Sequence, residues 1–217
     1  MSNPDSFIEE VTEEVRRDRL FALIRRYGWI AVLLVLLLVG GAAYNEWRKS
    51  RETAEARALG DALYTALDKG DAEARIAALD AVEAPGRAAA LKALLTAAEE
   101  TAAGERAAAA ERLAALSVNT EVPELYRQLA AIKEVSLRGD AQPAETRRYV
   151  LEPLAAPGQP FRLLAMEQLA LIDVETGERE QAIARLNEIL QASELSAGLR
   201  QRATQLMVAL GGTPDGA

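Results

Sequence analysis

The chain has 217 residues, with 33 acidic against 25 basic side chains and neither Cys nor His. That inventory excludes thiol nucleophiles, structural zinc held by Cys or His, His general bases and lipoprotein acylation on Cys. The acid excess lies after Ser50, where 18 Lys plus Arg face 26 Asp plus Glu, and it argues against a nucleic-acid partner, since phosphate binding needs a basic face.

Residues 1–26 read as a short polar leader helix. Ser6 and Glu9 have capping-box spacing, and Ile8, Val11 and Val15 repeat at helical intervals. Arg16, Arg17, Arg19, Arg25 and Arg26 crowd its second half, where they can meet anionic lipid heads or simply set orientation.

The stretch 27–47 then predicts a transmembrane anchor. From Tyr27 to Tyr44 there is no charge and no Pro; about 18 residues make roughly 27 Å of helix, close to the ~30 Å of a hydrocarbon core. Arg25, Arg26, Tyr27 and Trp29 flank one end, and Tyr44 and Trp47 the other, as membrane-interface residues. The basic bias between the two flanks is slight and favours the amino end inside. Gly41-Ala42-Ala43 offers a cleavage site, but Glu9, Glu10, Glu13 and Glu14 in a long leader point to an uncleaved anchor. The same small residues permit close approach of a second membrane helix.

Residues 48–210 predict helix almost throughout, because Ala is abundant, β-branched residues are sparse and no period-2 run occurs. The expected helices are 48–69, one from the Lys69-Gly70-Asp71 turn to about 83, 87–103, 105–116, 123–138, 160–176, a second helix after Gly177 that carries Ala182-Ile183 and Ile189-Leu190, and a capping helix 196–210, with 211–217 a loose tail. Turn glycines at Gly70, Gly104, Gly139 and Gly177 follow one another at 34, 35 and 38 residues, near the ~34-residue period of tetratricopeptide repeats. The fold class expected is therefore all-α: a single transmembrane helix followed by a tetratricopeptide-repeat-like solenoid. Asp140-Ala141-Gln142-Pro143 lengthens the third turn, and Pro153, Pro157, Gly158 and Pro160 follow as an irregular connector.

The anchor Trp29 to Tyr44 with Asn45-Glu46-Trp47-Arg48, and the segment from Pro160-Phe161-Arg162-Leu163-Leu164-Ala165 through Leu190, carry a resemblance. In this order the chain resembles the YfgM-like family of bacterial membrane-anchored proteins, ancillary subunits of the SecYEG translocon. The resemblance implies an inner-membrane protein with a periplasmic domain that associates with the SecYEG translocon and with periplasmic chaperones.

No catalytic constellation emerges. Lys69, Lys92 and Lys133 sit among polar helix residues, and the pairs Glu99-Glu100 and Glu178 with Glu180 read as exposed charges near helix ends. No phosphate-cradling loop, cofactor motif, metal-ligand spacing or small-molecule site stands out. A binding scaffold is the leading reading; a scaffold in envelope assembly or cell division is the alternative, and an envelope hydrolase with an acidic site the third. Stacked helical pairs line an inner wall with the first helix of each pair. Counting from the turn glycines places Tyr126, Leu129 and Lys133 on that wall in the third unit, and Glu167, Leu171 and Val174 in the fourth, either as a protein-binding face or as core.

Overall fold

A computed structural model describes the backbone of residues 4–213 and the side-chain environments from residue 25 onward, apart from positions 28, 31 and 32. The described residues are helical with no strand. The chain divides into two compact units, residues 1–58 and 59–217.

The first helix, α1, runs from Pro4 to Leu67 as one uninterrupted element. It begins two residues before Ser6, so Ser6 is not its N-cap, and leader and anchor run on as one continuous backbone helix. Its apolar run is exposed: Leu33 to Val39 are each 49–68% accessible, and Tyr27, Trp29, Tyr44 and Trp47 also face outward. The Arg26 guanidinium lies 5.7 Å from the centre of the Tyr27 ring, and that of Arg51 lies 5.2 Å from Trp47. Among the described residues no helix is long and apolar enough to cross a membrane. The span expected at 27–47 is thus not recovered as such, and Gly28, Ala31 and Val32 within it lie outside the described environments.

The second unit is a row of antiparallel helical pairs. The end of α1 pairs with α2 (Ala72–Ala81), α3 (Arg87–Ala102) with α4 (Arg106–Val118), α5 (Glu124–Arg138) with α6 (Ala144–Leu151), and α7 (Arg162–Glu175) with α8 (Arg179–Gln191); α9 (Ala197–Ala209) closes the row. Asp71 caps α2 by accepting a hydrogen bond from the Ala74 N–H at 2.7 Å, and Ser196 caps α9 at Leu199. No helix is expected over 144–151 from the sequence. This short, polar segment bounded by Pro143 and Pro153 is helical, with Arg147 and Leu151 buried. The lengthened third turn is a 3-10 helix, Gly139–Ala141, and a second one, Pro153–Ala155, lies within the connector.

The core is a chain of small clusters rather than one mass. Leu63, Ala66 and Leu79 form the first; Ala90, Ala97, Ala109, Leu113, Leu116 and Ala130 join α3, α4 and α5. Ile132, Val135, Leu151, Leu169 and Ile172 join α5, α6 and α7, and Leu163, Met166, Leu186, Ile189 and Met207 join α7, α8 and α9. Helices α5 and α7 each serve two clusters on opposite faces. That is the nearest-neighbour construction of a repeat protein.

The pattern repeats most faithfully over two pairs, at the spacing of Gly104 and Gly177. Both glycines have left-handed backbones (φ +85° and +80°). After each, the N–H of the next residue reaches back to the first helix, from Glu105 to Glu100 O at 2.8 Å and from Glu178 to Asp173 O at 2.7 Å. Ala97, Ala109, Leu113 and Ala130 recur as Ala170, Ala182, Leu186 and Ala203, all buried. Arg106 donates to Leu137 O, and Arg179 to Leu210 O, at the same offset. Helix α9 therefore stands where α5 stands, in the position of the first helix of a pair.

Candidate functional site

The first helices α5 and α7 carry the residues expected on the inner wall. Tyr126 is half-buried and packs against the α3–α5 cluster. Leu129 is half-buried and Lys133 exposed. On α7, Leu171 is exposed and Val174 half-buried, while Glu167 is buried. Glu167 is committed: Arg202 of α9 donates to both its carboxylate oxygens, at 2.6 and 2.8 Å.

Lys133 lines a cavity of about 120 Å³. Leu94, Ala97 and Ala98 of α3 form one wall, Lys133, Ser136 and Leu137 of α5 the other, and Leu113 of α4 the floor. Small side chains at Ala97, Ala98 and Ser136 leave the space. Ala98, Lys133 and Ser136 are exposed at its rim. Among the described residues Lys133 pairs with no carboxylate, whereas Glu134, one position on, is bound by Arg138 at 2.8 Å.

The buried charges form closed networks. Glu100 is not the exposed charge expected: it is 3% accessible and accepts from Arg112 at 2.7 Å, while Arg112 also grips Asp80 of α2 with two bonds, 2.8 and 3.1 Å. Hydrogen bonding to Glu100, opposed by burial, raises the Arg112 pKa above its usual value. Glu99 accepts from Arg75 at 2.6 Å. In the second half Asp173 is fully buried and takes Arg148 on one oxygen, at 2.5 Å, and Arg185 on the other, at 3.0 Å. Arg148 continues to Glu178 at 2.6 Å. Lys92, expected among solvated residues, donates to the carbonyls of Asp80 and Val82 and so closes the end of α2.

Such networks tie successive helices together. Among the described residues no group of three or more carboxylates is placed to hold a metal ion. Single residues do not reveal the networks, though the sequence holds a signal of them. Gly-Glu-Arg-x-x-Ala-x-x-Arg-Leu occurs at Gly104 and again at Gly177, and its second Arg is the one that grips the buried acid.

No family model, curated protein or solved structure matches the chain.

Proposed function

We propose that this chain is a non-enzymatic, membrane-anchored scaffold whose helical pairs hold segments of other proteins, with the amino end cytoplasmic and the carboxyl domain periplasmic. The observation that carries the anchor is the exposed run Leu33 to Val39 between aromatic belts. Burying an aliphatic side chain is worth roughly 1.5–3 kcal/mol, so seven left in water forgo a large favourable term. An apolar surface of this kind marks a membrane or protein interface, and a helix rimmed by Trp, Tyr and Arg fits lipid.

The binding role rests on the row of pairs and on the open cleft between α3 and α5. The partners follow from the resemblance noted above: an accessory of the SecYEG translocon that contacts periplasmic chaperones or secreted proteins. Purification of the tagged full-length chain from detergent-solubilised inner membranes tests this. The reading expects translocon subunits and periplasmic chaperones in the eluate, and recovery of neither overturns it. A compartment reporter fused after Ala217 should signal from the periplasm with the full-length protein in the membrane fraction. A cytosolic signal would remove the translocon–chaperone role.

A further inference from the structure

The two halves of the domain treat the same face differently. Aligned on Gly104 and Gly177, Leu94 corresponds to Glu167, Ala98 to Leu171, Lys133 to Leu206 and Ser136 to Ala209. Between α7 and α9 the gap is bridged by the Glu167–Arg202 ion pair, and Leu206 packs on the core cluster. Between α3 and α5 the corresponding positions leave the cavity open, with a cation at its rim and no acid facing it from α3, where Leu94 stands in the place of Glu167.

We propose that this cleft anchors an internal segment of a partner protein that carries an aliphatic side chain next to an acidic one. The inference rests on the scaffold reading and names the chemistry of its binding face. In the closed half Leu206 and the Glu167–Arg202 pair fill the gap, whereas Lys133, Leu94 and Leu129 stand at the matching positions of the open half. The open half thus presents an apolar lining and, in the place of Leu206, a cation. Leu94, Ala97, Leu113 and Leu137 form the apolar lining, and Lys133 is a cation that pairs with no carboxylate among the described residues. A volume of about 120 Å³ holds about four waters at ~30 Å³ each, room for one branched aliphatic side chain that would displace them. The rim is open along both helices at Ala98 and Ser136, so a chain can cross the cleft without ending there. The acid charge of the domain as a whole opposes an acidic partner only at long range. Salt screens it beyond roughly 8–10 Å, whereas the contact with Lys133 is local.

The test uses the full-length chain in detergent micelles and ten-residue fluorescent peptides with blocked ends. Each carries one residue pair in a Gly/Ser frame, and binding is read by anisotropy. Pairs of Leu, Ile, Val or Met with Asp or Glu are expected to bind best. A double variant, Ala98→Leu with Lys133→Leu, copies Leu171 and Leu206 of the closed half and should fold. It should weaken these peptides by about ten- to a hundredfold. Lys133→Gln alone should erase the preference for the acid and keep that for the aliphatic residue. Unchanged affinities in the double variant, with its helical circular dichroism intact, overturn the assignment. So does preferred binding of other pairs, which leaves the scaffold reading standing, or binding only when the acid is a free chain terminus. If no peptide binds, the cleft assignment falls, and co-purification with translocon subunits still decides the scaffold reading separately.

Discussion

Helices α3 to α5 and helices α7 to α9 share a frame and differ in what they present. In both, a left-handed glycine ends the first helix, small and aliphatic residues fill the interior, and an arginine closes the carbonyl end of the next first helix. The frame is what repeats, because each pair must bury its face against its neighbour. The side chains on the first-helix face do not have that duty. One half has bridged them with Glu167 and Arg202, and the other has left Lys133 beside a cleft. Stability resides in the shared frame, and the proposed recognition in the face that diverges.

The buried acids offer the largest contrast. Asp173 holds two arginines, whereas Glu100 shares its one arginine with Asp80. Removing one member of a buried ion pair costs roughly 3–5 kcal/mol. Arg148 and Arg185 keep partial contact with solvent, so Asp173→Ala should lose about 3 kcal/mol, the low end of that range. In Glu100→Ala, Arg112 retains Asp80, and the loss should be about 1–2 kcal/mol. Urea melts of the two variants distinguish these cases, and equal losses would remove the asymmetry.

The turn glycines come next. Alanine at Gly104 or Gly177 must adopt a left-handed backbone, at a cost of about 1–2 kcal/mol each. Gly70 is not among the left-handed glycines, and a Cβ there meets nothing within 4 Å. Gly70→Ala should therefore stabilise by about 0.4–1 kcal/mol. A melt showing all three alike would mean that the four spaced glycines are one kind of turn after all.

Arg106→Ala and Arg179→Ala should cost nearly the same, about 1 kcal/mol, if the frame is truly common to both halves. A several-fold difference in a denaturant series would break the equivalence.

The smallest effect is acid sensitivity. Arg147 donates to Glu175 at 2.5 Å and holds its carboxyl below the ordinary value. A carboxyl lowered on folding adds stability that is present above its unfolded pKa, near 4.3, and is lost as pH falls through the folded value. Glu175 is substantially exposed, so the term is under about 1 kcal/mol. The corresponding first-half positions are Ala74 and Ala102, which carry no such pair. Glu175→Gln should flatten the acid limb of the stability profile below about pH 4.5.

Much of the helical frame was legible because Gly, Pro and Ala speak locally. Pro85-Gly86 and Gly177 mark helix ends to within two or three residues, and the observed α3, α5, α7 and α9 fall inside the predicted spans. Helix α6 was not legible, since eight residues between two prolines carry no period long enough to register. The burial of Glu100 and Asp173 was hidden for another reason. Their partners lie 12 to 25 positions away, so the residue type alone reads as a surface charge. Counting single glycines also concealed the doubled repeat. Gly70 and Gly139 hold the same places in sequence but have different backbones from Gly104 and Gly177. Lys133 was placed on the binding wall from spacing alone, and the cavity beside it depends on Ala98 and Ser136, whose smallness has no meaning until α3 and α5 are side by side.

Photo-crosslinking in intact membranes bears on the contrast between the two halves most directly. A photoreactive residue would replace Leu94 or Lys133 in one set of full-length chains and Leu171 or Leu206 in another, with the adducts mapped by peptide mass spectrometry. The account predicts adducts from the first set, on partner segments where an aliphatic residue adjoins an acid, and few from the second. Adducts confined to Leu171 and Leu206, or equal yields from both halves, would contradict it.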